Sequence, residues 1–534
     1  MDLKDLFKQI NQKNNNNDSS VAQEDNDINL LNDRLTSPEP ATYAPPANNE
    51  LQDFSRFTQE QTSHNNDLSF SSLKQTGLNK NPSFSLDTKS NTVKINDNQP
   101  EMGGIIPTKE QDFFAPPSGM HDLGLSPISV QDLLLKCLFY QSTGTGKDLA
   151  NQIRLPLHSI VDPMLMKLTE EKFLEVTSTT GLGGFNKNYR LTSSGYNRAE
   201  NVLKSSNYVG PAPVALADYI EAVTQHYGEL NFSEEDLRKA YKDLVLSEKT
   251  IDEIGPAITS GKSLFMYGPA GTGKTSVAER ITRCYATTIK VPYAIQVQGV
   301  PMRFFDYFQH KPIDKTVQAG TFPALKADQD NRWIEVQRPC IIVGPEFNIA
   351  SADLQYDPEG PSYQFPSSIK ANGGVFVIDD FGRQKEQPET LLNRWIIPLE
   401  KQKDILSLKT GQQITVPFKV FAVFSTNLDP KKLIDDAFLR RLAYKIKIDF
   451  PSLETYCQIF ANEAEKANIK WEDADLEYLI QTHYSKAGRP LRACDPRDIF
   501  ARATDTCRFK KVKAPFKLTK ELIDKACNSY FVGA

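Results

Sequence analysis

The chain has 534 residues, room for two or three domains, with 39% hydrophobic residues, 24% charged residues and a net charge of −5. That balance allows sizeable packed cores and lacks the basic excess by which a nucleic-acid binder is recognised. No stretch approaches the roughly 18 apolar residues of a membrane span, and the start Met1-Asp-Leu-Lys-Asp-Leu-Phe7 carries no apolar leader core. The seven cysteines are scattered without a Cys-x-x-Cys spacing, which fits a reduced, cytoplasmic setting better than a disulfide or zinc framework.

Residues 12–122 are rich in Asn, Asp, Ser, Gln, Thr and Pro, with sparse and unperiodic apolar positions. Such a segment buries too little surface to offset its ordering entropy, so residues 1–122 are expected to form a disordered tail. Leu3, Leu6, Phe7 and Ile10 share one helical face, so residues 2–11 are either a short docking helix or a frayed terminus.

Order is expected from Leu123. Ser129 is read as capping a helix over 130–141, followed by a short helix over 147–152 and a third over 156–173. Strands at Phe173–Val176 and Tyr189–Thr192 flank a glycine-rich turn at 181–184, and a helix over 194–204 closes the unit. Three helices followed by a two-stranded turn outline a winged helix over 123–205. Winged helices bind DNA or proteins. Residues 124–205 hold nine Lys/Arg against seven Asp/Glu, a weak excess for gripping phosphates. The third helix offers His158, Asp162, Lys167 and Glu170, not the Arg or Asn that reads base edges. A protein-binding or packing role is favoured over DNA. The run Ser142-Thr-Gly-Thr-Gly-Lys147 only mimics a phosphate loop, since Gln141 and Asp148 stand where Gly and Ser or Thr are needed.

Residues 206–229, Pro/Gly-rich around Tyr208-Val-Gly-Pro-Ala-Pro-Val214, read as a connector. Over 230–450 strands alternate with helical stretches, the pattern of a parallel α/β sheet, and 451–534 is mostly helical.

The chemistry is concentrated in 264–497. Leu264–Tyr267 reads as a buried strand, and Gly268-Pro-Ala-Gly-Thr-Gly-Lys274-Thr275 follows it at the start of a helix over 275–287. The pattern is a complete phosphate-binding loop. Across Gly268, Pro269, Ala270, Gly271, Thr272 and Gly273 the glycines let successive backbone N–H groups turn inward. Lys274 supplies a point charge, Thr275 a Mg²⁺-ligating hydroxyl, and Ser276 the next turn of the cradle.

Gly373-Gly-Val-Phe-Val-Ile378-Asp379-Asp380 is an apolar strand ending in two acids, the first suited to the Mg²⁺ shell and the second to polarising water. Asp380 reaches about one methylene less far than a Glu would, and its alternative role is to position a loop. Phe421–Asn427 ends a third strand on an Asn able to hold the attacking water. Ala437-Phe-Leu-Arg440-Arg441-Leu442 places two arginines at a helix end. They serve either a neighbouring subunit's phosphate or a surface ion pair with Asp435 or Asp436. Arg497 begins a helix after Pro496 and could fold over a bound nucleotide.

These motifs in this order resemble the AAA+ ATPase family over about residues 230–530. The stretch Arg383–Glu400 and the hairpin expected at 406–418 are similar to its MoxR-like or a neighbouring bacterial-type branch. The resemblance implies ATP and Mg²⁺ as cofactors and a catalytic set of Asp380, Asn427, Arg441 (with Arg440 as rival) and Arg497. It also implies a C-terminal helical lid and a self-assembled ring, commonly hexameric, acting on a protein client. Within that frame Met302-Arg-Phe-Phe305-Asp-Tyr-Phe308, after the expected second strand, is either a client-gripping loop or a helix packed on the sheet. Tyr356, Tyr363 and Phe365 in 345–372 are a second candidate client contact.

Overall fold

A computed structural model describes residues 113–180, 186–227, 232–285, 287–314, 317–318, 321–433 and 439–531. The docking helix expected at 2–11, almost all of the expected disordered tail, the glycine turn at 181–184 and Asp435 and Asp436 lie outside the described residues.

The first unit opens with a helix at Pro127–Gln141 whose cap is Ser126, not Ser129: the Ser126 hydroxyl accepts the Ser129 N–H at 3.2 Å. Pro127 is preset for the first helical turn, which draws the start three positions earlier than the periodicity suggests. Helices Gly146–Ile153 and Asp162–Glu170, the latter entered through a π turn at Leu157–Val161, follow. Leu134, Leu138, Leu149, Ile153, Leu165 and Leu168 are all buried in one core. The strands Leu174–Thr180 and Asn186–Leu191 pair antiparallel, and Thr143–Thr145 adds a third strand beside 186–191. That third strand arises from the false phosphate loop. Its Asp148 is a capping residue, exchanging hydrogen bonds with Thr145 in a capping box. Helix Ser193–Ser205 closes the unit.

The expected connector is shorter than its Pro/Gly composition suggests. Val214–Ala215 is a strand, Leu216–Glu221 is a helix, and Tyr219, Ala222, Val223 and Tyr227 are buried in the main core. The Asn372 amide donates to the Tyr219 hydroxyl at 2.8 Å, fixing this segment to the central sheet.

That sheet has five strands: β1 (Leu264–Tyr267), β2 (Cys340–Val343), β3 (Val375–Ile378), β4 (Phe421–Thr426) and β5 (Tyr444–Lys447). All neighbours are parallel, in the order β2-β3-β4-β1-β5. The interior strands β3 and β4 are buried at every residue, which is why Val375–Ile378 and Phe421-Ala-Val-Phe424 are unbroken apolar runs and not alternating ones. Helix Pro388–Lys401 covers one face through Leu391, Leu392 and Trp395, and Trp395 stacks on Phe376 of β3 at 5.4 Å. A hairpin of Lys403–Ser407 and Gln413–Pro417 leads into β4, three residues earlier at its start than expected.

The expected second strand is corrected. Residues 289–303 do not enter the central sheet; β2 lies much further on, at Cys340–Val343. Gln298 and Gly299, both at positive φ (51° and 84°), close a two-residue turn that folds Ala294–Val297 back on Val300–Arg303. This hairpin joins Val214–Ala215, Ser362–Gln364 and Gln355–Asp357 in a second, mixed sheet.

The aromatic stretch 302–308 is therefore a strand end and turn, not a helix. Met302 and Phe304 are core, whereas Phe308 is 88% exposed. Beneath that turn His310 is fully buried, its ring accepting the Asp306 N–H and bonding the Lys370 carbonyl at 2.9 Å. Tyr363 and Phe365 of the 345–372 stretch are likewise buried, which makes them packing residues and not client contacts.

The C-terminal part has its own core. Helices Leu453–Lys466, Asp473–Leu479, Asp495–Phe509 and Lys520–Tyr530 bury Tyr456, Phe460, Leu476, Phe500 and Ile523 among themselves. The buried Asp495 carboxylate accepts the hydroxyls of Tyr484 at 2.9 Å and Tyr530 at 2.8 Å, anchoring the start of its helix.

Burial lowers the His310 pKa from 6.5 to about 4. The unfolded ring takes a proton that the folded ring refuses, so stability is full above about 6.5 and declines as pH falls toward 4. His310→Gln should flatten part of that decline in urea-unfolding midpoints measured across this range; an identical pH slope would contradict the buried neutral ring.

Candidate functional site

Because every central strand is parallel, the C-terminal ends of β1, β3 and β4 meet along one edge. β1 delivers Gly268–Thr275 into helix Lys274–Arg280. Gly268 sits at φ 143°, and a Cβ there would lie 2.2 Å from the Ile448 carbonyl oxygen just past β5. Gly271 and Gly273 also adopt positive φ, 80° and 92°, conformations that glycine adopts without strain. Thr272 braces the turn by donating to the Pro269 carbonyl at 3.1 Å. The Ser276 carbonyl accepts from Arg280 at 2.8 Å. Ala270 is exposed at the tip.

Lys274 is buried at the foot of this loop. Its Nζ donates to the carbonyls of Gly268 at 3.0 Å and Pro269 at 2.8 Å, and to Asn427 Oδ1 at 2.5 Å. Burial lowers its pKa, and the charges of Asp379 and Asp380 oppose that shift.

β4 lies between β1 and β3, so Asn427 at its tip stands between the lysine and the acids. Its Nδ2 donates to Asp380 Oδ1 at 2.8 Å while its Oδ1 accepts from Lys274. Asp380 has φ 47°, and its N–H donates to Asp379 Oδ1 at 3.0 Å. A non-glycine residue at positive φ is strained, and Asp is among the few that tolerate it. Asp379 Oδ2 accepts the Thr275 hydroxyl at 2.7 Å. A hydroxyl and a carboxylate at hydrogen-bond distance beside a phosphate cradle form the hard-oxygen pair that suits Mg²⁺. Mg²⁺ held there would neutralise phosphate charge. Gln384 is buried and accepts the Gly382 N–H at 2.8 Å, steadying the turn after β3.

The structure adds a wall that sequence reasoning missed. Asp243–Leu246, Thr272, Gly273 and Ser276 face Ile459, Asn462 and Arg497 across a cavity of about 270 Å³. Arg280 and Arg283 both hold Asp243, at 2.9 and 2.8 Å, and push its carboxyl down to about 2. Only the short apolar run Leu244-Val-Leu246 before the Ser247 cap hinted at this strip. From the helical part, the Cys494 N–H donates to the Gly271 carbonyl at 3.2 Å, and the Arg492 side chain packs over Gly271. Arg497 lines the cavity and its Nε pairs with Asp498 at 2.9 Å. Arg492 thus stands nearer the loop than its sequence position suggested.

Arg440 and Arg441 stand in the turn that leads into β5. One reading changes. Arg441 has a partner within the chain, since its Nε donates to Glu400 Oε1 at 2.7 Å. Arg440 is exposed and makes no ion pair among the described residues.

Residues 452–529 match a family model described only as a domain of unknown function (DUF8689), and these limits coincide with the C-terminal helical part. No curated protein matches the sequence. Among solved structures, NtrX from Brucella abortus is 14% identical with a TM-score of 0.33, over 53% of this chain and 56% of NtrX. NtrX in complex with ATP is 16% identical with a TM-score of 0.32, over 55% and 59%. A RuvB mutant from Thermotoga maritima is 14% identical with a TM-score of 0.29, over 56% and 71%. The chain thus spans little more than half of NtrX.

Replacing Gly268 by Ala should put a Cβ against the Ile448 carbonyl and force the loop open. Binding of a fluorescent ATP analogue is expected to weaken roughly a hundredfold, about 2.7 kcal/mol, with the far-UV circular dichroism unchanged. Unaltered affinity would mean that this loop is not the phosphate cradle.

Proposed function

We propose that the chain is an ATP-hydrolysing AAA+ ATPase that remodels or assembles a protein complex, working as a ring of identical subunits. The observation that carries the reading is the Asn427 amide, which joins the loop lysine to Asp380 at the tips of adjacent strands. A strand order that brings a phosphate cradle, a Thr–Asp pair and a carboxylate–amide pair to one edge is suited to binding ATP with Mg²⁺ and to orienting water. Thr275 and Asp379 hold the metal, Lys274 the β- and γ-phosphates, and Asp380 with Asn427 the attacking water. The cavity beside Asp243–Leu246 takes the base, and the helical part from 451 onward serves as its lid, carrying Arg492 and Arg497. The burial of Tyr219, Ala222, Val223 and Tyr227 in the main core supports counting this segment with the ATPase unit.

The unit at 123–205 is assigned as a winged helix that meets a protein. Its basic residues support this over DNA: Arg190 pairs with Glu175, Arg198 with Asp132 and Lys204 with Glu200, while Lys136 is buried. Among the described residues this leaves Lys147, Lys167, Lys172 and Lys187 exposed and outside the recorded ion pairs, a small set for releasing counterions from a duplex. No described helix is long and apolar enough to cross a membrane; the cytoplasmic assignment rests on the unpaired cysteines.

Ring assembly is tested by turnover per subunit across a dilution series. It should rise with concentration. Arg440→Ala should abolish that rise, because its exposed guanidinium is available to a neighbour's phosphate. Arg441→Ala, already engaged by Glu400, should reduce it less. Turnover per subunit that is constant at every concentration would refute the assembled site.

A further inference from the structure

The first unit and the mixed sheet enclose a second cavity, of about 620 Å³, remote from the phosphate loop in sequence and lined by different residues. Helices Pro127–Gln141 and Ser193–Ser205 supply one side, through Leu133, Lys136 and Val202; the 294–303 hairpin supplies the other, through Gln296 and Val300. Its size lies within the usual range for small-molecule sites, which favour junctions between structural units.

Two groups in its wall are underserved. Lys136 is only 2% exposed, yet its Nζ makes one recorded hydrogen bond, to the Ser206 carbonyl at 3.2 Å. An ammonium has three donors, and burying it with one partner is costly. Burial lowers its pKa to about 8. Gln296 has its Nε2 fixed on the Ser129 hydroxyl at 2.9 Å, while its Oε1 is buried with no partner.

The other cation in the wall, Arg198, meets Asp132 at 2.8 Å and Glu171 at 3.8 Å, and the charge of Asp132 also favours protonated Lys136. What the lining lacks is hydrogen bonding: two unused donors on Lys136 and one unmet acceptor on Gln296, beside apolar surface from Leu133, Phe173, Val202 and Val300. A phosphate dianion would need a second free cation. A wholly apolar occupant would leave both polar groups unmet.

We propose that this cavity binds a small monocarboxylate with an apolar body and one hydroxyl or amide donor, the carboxylate on Lys136 and the donor on Gln296. The site is independent of the nucleotide reading and does not require it.

The test uses the full chain and calorimetric titration with 3-hydroxydecanoate, alongside decanoate and 1,3-decanediol. The hydroxy acid should bind once per chain. Loss of its hydroxyl, in decanoate, should weaken binding about tenfold, and loss of its charge, in the diol, roughly a hundredfold. Lys136→Met should bring the acid down to the diol's affinity, and Gln296→Leu should erase the preference for the hydroxyl, with ATP-analogue binding unchanged in both. Should Lys136→Met fail to fold, the Gln296→Leu comparison and the diol carry the test. No saturable binding, equal affinity for all three probes, or an unaltered preference in Gln296→Leu would overturn the proposal.

Discussion

A single side-chain amide holds the centre of this molecule together. Asn427 accepts from the Lys274 ammonium and donates to the Asp380 carboxylate, so one residue sets the distance between the positive and negative halves of the site. It can do so only because β4 is inserted between β1 and β3. Had β1 and β3 been neighbours, lysine and carboxylate could have paired directly, leaving neither free to meet phosphate or water. The sheet order thus acts on chemistry by keeping opposite charges close without letting them neutralise each other.

The surrounding parts serve that spacing. Ile448, just beyond β5, presses on Gly268, and Cys494 from the helical part bonds Gly271. The phosphate loop is thereby gripped from the sheet on one side and from the C-terminal helices on the other. Asp243, held by Arg280 and Arg283, fixes a third strip of chain to the loop helix. Movement of the helical part against the sheet would therefore be felt directly at Gly271.

Much of this was legible in the sequence, for a physical reason. A strand buried on both faces must be an unbroken apolar run, and a loop that wraps phosphate must place glycines at fixed spacing; both leave local signatures. The loop, the two acids, Asn427 and the helical C-terminal part needed only short windows. The second strand expected before Met302 is instead part of a hairpin, because a short apolar run has the same look in a central strand as in a hairpin of a separate sheet. Only the positive φ at Gln298 and Gly299 distinguishes them. Glu400 was invisible as the partner of Arg441, forty-one positions away, since no local pattern encodes a contact at that separation. The Ser126 cap shows the reverse case: the signal, Pro127, was present but outweighed by hydrophobic periodicity.

In the proposed reaction Asp380, held by Asn427, prepares water for attack on a bound nucleotide. Phosphate release from saturating ATP and Mg²⁺, compared between the parent protein and Asp380→Asn with nucleotide affinity measured in both, puts that role to the test. Measurable release is expected in the parent and a loss of about a hundredfold or more in the variant, with affinity for ATP retained. Equal release from the two proteins, at equal affinity, would contradict it.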